Sequence, residues 1–331
     1  MDLDAYTDAH REDWDRLAVL AKRRRLDGRE ADELIDLYQS GATDLSAIKT
    51  LAGSTAVGDR LSVSLAAARL RFTGAGANLF SQIPQFFVAQ LPAALYRIRW
   101  IVLAVAVATI VVATLYAVWI AGNPDVLANF GTDAQLRQYV DHTFIDYYSN
   151  NPAASFSGQV WTNNAWIAAQ CVAFGITGVW VPYALLSNAI GVGTAAGVLF
   201  AFGKGDVMFA YILPHGLLEL TSVFVAAAAG LRIFWAWIAP GARTRAQALA
   251  EDGRALFTVA IGCAITLFVS GLIEGFVTPS SLPVWAKITI GALALAAFLV
   301  YMLVLGRRAV RAGETGDLSE FEAGSRRIVA G

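Results

Sequence analysis

The chain has 331 residues, with 25 Lys and Arg against 26 Asp and Glu, so its net charge is −1. Hydrophobic residues make up 56% of it and charged residues 15%, compared with roughly 45–50% and about 25% in soluble proteins. The mean hydropathy is +0.53. This composition excludes an ordinary soluble protein and favours several membrane spans, because helices that face lipid must be apolar on all sides. The near-zero net charge offers no basic field for nucleic acid.

Residues 1–75 are predicted to form a cytoplasmic helical domain. Apolar residues recur at helical spacing from Leu3 to Ala21, from Leu34 to Leu51 and from Leu61 to Leu70. We therefore expect three helices, the second of them interrupted at Ser40-Gly41.

Residues 76–99 are predicted to form an amphipathic elbow that lies in the membrane interface. One helical face of this segment carries Phe80, Ile83, Phe87, Leu91 and Leu95. Pro84 and Pro92 prevent a continuous span. The alternative interpretation is a linker helix that packs on the cytoplasmic domain.

Six apolar segments follow, each close to the ~20 residues that a bilayer requires. They cover residues 100–121, 161–181, 184–203, 209–238, 255–277 and 284–306. Only Val181-Pro182-Tyr183 separates the second segment from the third, which leaves a broken or re-entrant pair as an alternative. The pattern predicts a transmembrane bundle over residues 100–308 and a tail over residues 309–331.

The arginines next to the spans predict the orientation. With six spans, all of them fall on one side, and the positive-inside rule makes that side cytoplasmic. We therefore expect a protein of the cytoplasmic membrane with both termini in the cytoplasm. The arginines are Arg97, Arg99, Arg232, Arg243, Arg245, Arg254, Arg307, Arg308 and Arg311.

The loop between the first two spans is predicted to contain an amphipathic helix over residues 125–150, on the outer side. One face of this helix carries Leu136, Tyr139, Val140, Phe144, Ile145 and Tyr148. The face is equally suited to lie on lipid, to bind a partner or to pack against the outer ends of the protein's own spans.

The segment Pro214-His215-Gly216-Leu217-Leu218-Glu219 is the most distinctive feature of the spans. His215 and Glu219 are four residues apart and share one helix face. Pro214 and Gly216 favour a kink. The segment therefore predicts two ionisable side chains on the same side of a bent transmembrane helix.

Glu274 lies in a later span, and on the six-span topology it falls in the outer half of the membrane together with His215 and Glu219. We predict that these three residues form one connected polar cluster, which Asn163 and Asn164 can join. Ionisable side chains in a membrane are costly, so a function is the default hypothesis for them.

Three uses of the cluster stay open: hydrogen bonding between helices, transport or proton relay, and metal binding or catalysis. The first is favoured because the sequence has no HExxH, GxSxG or CxxC motif. We accordingly expect no catalytic residue, no bound metal and no cofactor. Cys171 and Cys263 are interpreted as small apolar side chains.

Two pairs of glycines have the small-xxx-small spacing that lets helices approach closely. They are Gly193 with Gly197, and Gly271 with Gly275. Such faces serve either packing within the bundle or dimerisation, so a homo-oligomer is an alternative to an internal role.

The chain resembles the stage II sporulation protein M family over about residues 160–310. The segments that carry the resemblance are Pro214 to Glu219, Ala229-Gly230-Leu231, Leu272 to Pro279, Asn163-Asn164 and the apolar stretch 175–203. A weaker match extends to Trp14 and to Leu34–Tyr38. The long N-terminal domain is similar to that of actinobacterial members.

The resemblance implies an integral membrane protein connected with the cell envelope or cell wall. In spore-forming relatives the family member is a polytopic scaffold that recruits peptidoglycan-degrading partners. Actinobacterial members are often encoded near a MoxR-type ATPase, which makes such a system a candidate partner. We therefore expect a non-enzymatic membrane scaffold, with a transporter or channel that uses the His/Glu cluster as the alternative and a metal-dependent intramembrane enzyme as a third.

Overall fold

The computed structural model describes residues 3–23, 26–52, 55–72, 83–149 and 152–316. Every regular element in these ranges is helical, which confirms the predicted all-α fold class. The chain divides into two compact units, and the boundary lies between Gln82 and Ile83. Each unit is described by itself below.

The N-terminal unit consists of α1 (Leu3–Lys22), α2 (Gly28–Ala52) and α3 (Ala56–Phe72). Its core contains Leu17, Leu20, Leu34, Ile48, Leu61 and Leu65. The predicted interruption of the second helix is wrong, because α2 continues through Ser40 and Gly41. A Cβ atom at Gly41 would lie 3.3 Å from the side chain of Leu65. This glycine therefore allows α3 to approach α2 and does not end the helix.

Asp44 on α2 fixes α1 through two hydrogen bonds. The Tyr6 hydroxyl donates to Oδ1 of Asp44 at 2.8 Å, and Nε1 of Trp14 donates to Oδ2 at 2.9 Å. The hydrogen bond to Asp44 raises the pKa of Tyr6. Both carboxylate oxygens are satisfied, so this buried acid stabilises the unit.

The segment before the first span joins the membrane bundle. A π turn (Phe86–Gln90) leads into α4 (Leu91–Arg97). Leu91 and Leu95 are buried, whereas Ile83 and Phe87 are exposed. The apolar face predicted for the elbow is thus divided between the bundle and its surface. Phe80 lies outside the described residues, and the interfacial position of the elbow stays a prediction.

The remaining helices follow in chain order. They are α5 (Arg99–Gly122), α6 (Pro124–Leu127), α7 (Asp133–Gln138), α8 (Phe144–Ser149), α9 (Ala153–Phe174), α10 (Trp180–Ala201), α11 (Gly205–Ile238), α12 (Arg245–Leu272), α13 (Val284–Val300) and α14 (Gly306–Arg311). One π turn (Ile273–Val277) extends α12, and another (Tyr301–Leu305) joins α13 to α14.

In the described part of the chain, five helices are long and apolar enough to cross a membrane. They are α5, α10, α11, α12 with its π turn, and α13 continued into α14. Each corresponds to one predicted span, and α12 begins ten residues before the predicted start at 255. The predicted polytopic helical bundle is therefore confirmed.

The second predicted span differs from the structure. It was expected over residues 161–181, but α9 ends at Phe174, and residues 175–179 connect it to α10. The turn uses Gly178, whose φ of +71° is accessible mainly to glycine. Val181-Pro182-Tyr183 lies in the first turn of α10 rather than between helices, because proline is tolerated there.

The helix α9 runs alongside α11 and α12 through most of the bundle. Near its start, the carbonyl of Ala153 lies 2.7 Å from where a Cβ atom at Gly275 would stand. Near its end, the carbonyl of Cys171 contacts Gly230. This helix has the same length as the apolar helix α10, 22 residues. Its sequence is less apolar because it contains Asn163 and Asn164.

The chain enters and leaves the bundle at the same end. Nη1 of Arg97, just before α5, donates to the carbonyl oxygen of Thr315, just after α14, at 2.6 Å. The last helix also packs closely on α4, because Gly306 contacts the carbonyl of Pro92. This arrangement is consistent with an even number of membrane crossings between Arg97 and Thr315.

Residues 124–149 cover the opposite end of the bundle and are called the outer cap, after the side of the membrane that the sequence predicts for them. The apolar face predicted from the sequence is buried against the protein's own spans: Leu136, Val140, Phe144 and Tyr148 form one core cluster with Ile120 and Leu199. Of the three alternatives for this face, the structure shows internal packing. Nζ of Lys204, after α10, also pairs with Oδ1 of Asp141 at 2.9 Å.

Candidate functional site

The structure brings His215, Glu219 and Glu274 together. His215 and Glu219 lie one turn apart on α11, and Glu274 lies in the π turn that extends α12. One ligand atom from each residue lies within 4.8 Å of the others. Nε2 of His215 is 3.8 Å from Oε1 of Glu274. His215 is 5% exposed and Glu274 3%.

A hydroxyl group behind His215 sets the orientation of its ring. Nδ1 of His215 lies 3.3 Å from Oγ1 of Thr278, and the Thr278 hydroxyl donates to the carbonyl of Ile273 at 3.4 Å. At 3.4 Å the donation to Ile273 is long, and the same hydroxyl lies close enough to Nδ1 to donate to it instead, so either tautomer of His215 fits this contact. Nε2, on the other side of the ring, faces Glu274.

The two carboxylates have few donors. The Ser270 hydroxyl lies 3.0 Å from the carbonyl of His215 and 3.5 Å from Oε2 of Glu219, so the bond to the carbonyl is the stronger one. Asn164 on α9 and the carboxyl group of Glu274 also hydrogen-bond Glu219, and the bond between the two carboxyl groups requires a proton on one of them. Oε2 of Glu274 is buried without a hydrogen-bond partner.

The cluster lines a cavity of about 910 Å³ between α9, α11 and the outer cap. Both predicted asparagines, Asn163 and Asn164, line it as well. A second cavity of about 730 Å³ lies between α9 and α10 and shares Tyr147, Asn163 and Val192 with the first. The two cavities therefore adjoin, and both are lined by polar and apolar side chains.

Tyr148 closes the cavity from the side of the outer cap. Its ring centroid is 5.8 Å from that of His215, and the residue is buried. Burial raises the pKa of the Tyr148 phenol, and the charge of Glu274 adds to this effect. The phenol is therefore neutral at physiological pH and contributes no charge to the cluster.

The glycines and the proline of the predicted site act in helix packing. A Cβ atom at Gly193 would lie 2.8 Å from the carbonyl of Ala113, and one at Gly197 would lie 2.9 Å from that of Ala117, so both face α5. Gly271 and Gly275 face the carbonyls of Ser157 and Ala153 on α9 in the same way. These two faces are occupied within the chain, and a homodimer would need a different surface.

Pro214 lies inside α11, which continues through it. Its carbonyl contacts Gly291 of α13 so closely that no side chain fits at that position. At Gly216, an added Cβ atom would lie 2.9 Å from the Ile212 side chain. The kink predicted at Pro214 and Gly216 stays a prediction, whereas the close approach of α13 is a feature that the sequence analysis missed.

The sequence analysis also missed a second polar cluster, at the end of the bundle where α11 meets α12. Asp252 is 5% exposed. Nε of Arg232 donates to its Oδ1 at 3.2 Å, and Nη2 of Arg243 donates to its Oδ2 at 3.1 Å. Nη1 of Arg243 pairs with Glu251 at 2.6 Å. From the sequence, Arg232 and Arg243 had been used only to predict the orientation of the spans in the membrane.

Five apolar membrane-length helices and a buried polar cluster define a polytopic α-helical membrane protein. The chain belongs to the stage II sporulation protein M family, whose sequence model matches residues 106–279, over half of the chain. This range contains His215, Glu219 and Glu274. Residues 4–74 match a domain of unknown function, DUF8413. No curated protein and no solved structure matches the chain.

Proposed function

We propose that the protein is a non-enzymatic scaffold of the cytoplasmic membrane, which assembles partners that act on the cell envelope or cell wall. The observation that carries the proposal is the ordered outer cap. Its apolar face is used internally, and the surface that it exposes is mostly polar, including Asp133, Gln138 and His142, with Phe130 and Tyr147 as exposed aromatic residues. A fixed polar platform on a membrane bundle suits the docking of a folded partner domain.

The N-terminal unit supplies a second platform in this proposal. It has its own core and its own family match, separate from the membrane bundle. We assign cytoplasmic partners to it, with a MoxR-type ATPase system as the first candidate. The presence of this unit is also the feature by which the chain resembles actinobacterial members of the family.

The orientation in this proposal places Arg97 and Thr315 at the cytoplasmic face. Their contact requires an even number of crossings, so α9 supplies a sixth beside the five apolar helices. Its polar side chains Asn163 and Asn164 face the cavity, which makes a crossing at this position compatible with lipid. The arginines at α11 and α12 then also lie in the cytoplasm.

Photo-crosslinking in cells tests the scaffold. A photoreactive residue at Gln138 or His142 should crosslink in intact cells to the same defined set of envelope proteins. The matched control is Leu115, an exposed apolar residue of α5, where a probe should give only lipid adducts. Absence of protein adducts at both cap positions, in cells that need the protein for normal envelope growth, would contradict the proposal.

Transport is the second candidate function, and the two adjoining cavities favour it. They extend from His215 to Trp180, through much of the bundle. A transporter predicts solute flux in liposomes that contain the purified protein, and a loss of this flux in Glu219→Gln. Such a result would replace the scaffold proposal, whereas normal assembly without flux would support it.

A further inference from the structure

The cluster of His215, Glu219 and Glu274 lies beside the outer cap and is here called the outer cluster; it contains more hydrogen-bond acceptors than donors. Nε2 of His215 faces Oε1 of Glu274 across 3.8 Å, a distance too long for a hydrogen bond. Oε2 of Glu274 has no partner. An imidazole nitrogen and several carboxylate oxygens that face one another are a donor set that binds a divalent cation once the protons are displaced.

No side chain in the described ranges supplies that cation. Neither Glu219 nor Glu274 forms an ion pair there with Lys or Arg. Lys287 donates instead to the carbonyl of Thr278, the residue whose hydroxyl contacts His215, at 2.7 Å. Buried carboxylates that lack a positive partner are costly, so the cluster has the composition of a site for an external cation.

The distances suit a small divalent ion. Bonds of about 2.0–2.2 Å from Zn²⁺ to an imidazole nitrogen and to a carboxylate oxygen bridge the gap of 3.8 Å between His215 and Glu274. All three candidate ligand atoms lie within 4.8 Å of one another, so small side-chain movements bring them to one centre. In the tautomer with the proton on Nδ1, the contact with Thr278 is the outer-shell hydrogen bond that usually fixes a metal-binding histidine.

We propose that His215 Nε2, Glu219 and Glu274 bind one zinc-like divalent cation, and that its fourth coordination position opens into the cavity. One imidazole and two carboxylates form a donor set that suits Zn²⁺ better than Mg²⁺ or Ca²⁺. The cation binds α11 to the end of α12, and water or an anionic oxygen of a ligand completes its coordination. This inference contradicts the sequence-based expectation of no metal and does not depend on the scaffold function.

Metal analysis of the full-length protein tests the proposal. Protein purified in detergent, stripped with a chelator and dialysed against Zn²⁺ should retain one Zn²⁺ per chain. His215→Gln and Glu274→Gln should each weaken binding at least ~100-fold, more than the loss of an outer-shell contact does. His142→Gln and Glu251→Gln are matched controls away from the cluster and should bind normally.

Thr278 gives a finer test, because it contacts the histidine without being a ligand in the proposal. Thr278→Val preserves the shape of the buried side chain and should weaken Zn²⁺ binding by ~10–100-fold. Thr278→Ser retains the hydroxyl and should bind like the wild type. Equal binding by the valine and wild-type proteins would contradict the assigned orientation of His215 and, with it, this ligand geometry.

Wild-type protein also permits a test that needs no variant. X-ray absorption at the zinc edge should show a single imidazole and oxygen ligands at about 2.0–2.1 Å. Two imidazoles, a sulfur ligand or no retained zinc would overturn the proposal, even if the variants fail to fold. Zinc retained by folded His215→Gln and Glu274→Gln would overturn it as well.

Discussion

Two buried polar clusters lie near opposite ends of the same pair of helices, and they differ in charge balance. At one end, both oxygens of Asp252 accept hydrogen bonds from guanidinium groups. At the other, Glu274 retains an oxygen without a partner. Both acids are almost fully buried. The first cluster is complete within the chain, whereas the second has the composition of a binding site.

The comparison shows why the two clusters deserve different interpretations. A buried acid that the chain itself neutralises stabilises the helix connection and needs no further function. A buried acid without such a partner costs stability unless something else binds to it. Burial alone does not separate these cases, since Asp252 and Glu274 are equally hidden from solvent.

The largest expected loss of stability is steric and concerns the contact between α13 and α11 next to the outer cluster. In Gly291→Val, the new Cβ atom would overlap the carbonyl of Pro214, next to His215. We expect a loss of more than ~3 kcal/mol of stability. Gly191→Val is the control, because its Cβ atom meets nothing within 4 Å. Thermal unfolding in detergent measures both, and equal unfolding temperatures would contradict the close approach of α13.

The next largest loss of stability is expected at Asp252, whose charge is balanced by two arginines of the chain. Asp252→Asn removes the charge between Arg232 and Arg243 and should cost about 2–3 kcal/mol, below the loss expected for a fully buried pair because both arginines are partly exposed. The control is Glu251→Gln, an exposed partner of Arg243, which should cost less than ~1 kcal/mol. The same unfolding assay should rank the two in this order. A larger loss in Glu251→Gln than in Asp252→Asn would contradict the stabilising role of the buried Asp252.

The smallest expected change in stability concerns Glu274, and its sign is opposite to that expected at Asp252. With a chelator present, Glu274→Gln removes a buried carboxyl group that has no positive partner and should leave the unfolding temperature unchanged or raise it slightly. With Zn²⁺ at about one hundred times its dissociation constant, the wild type should gain ~2.7 kcal/mol, and the variant should not. Destabilisation of the variant under chelation would mean that Glu274 already has a positive partner.

The sequence was sufficient for features that depend on local periodicity. The span at α5 is an almost uninterrupted apolar run, so its limits were predicted within one residue. The pair His215 and Glu219 follows from the helical repeat alone. The apolar face of the outer cap was recognised for the same reason, although its target was not.

Features that depend on contacts between helices could not be predicted. The limits of α9 were wrong because Asn163 and Asn164 lower its hydropathy and shift the apparent apolar segment towards α10. Ser270 lies on α12 and Thr278 directly after its π turn, 55 and 63 residues along the chain from His215. The pairing of Asp252 with two arginines likewise requires the turn between α11 and α12.

The central claim is that the polar cavity and the outer cap face outwards on a six-crossing bundle, with the Asp252 cluster in the cytoplasm. Single cysteines at Phe130, Gln247 and Ser281 test it most directly, because native Cys171 and Cys263 are buried. An impermeant maleimide should label positions 130 and 281 in intact cells and position 247 only after permeabilisation. Labelling of position 247 in intact cells, or protection of position 130, would contradict the account.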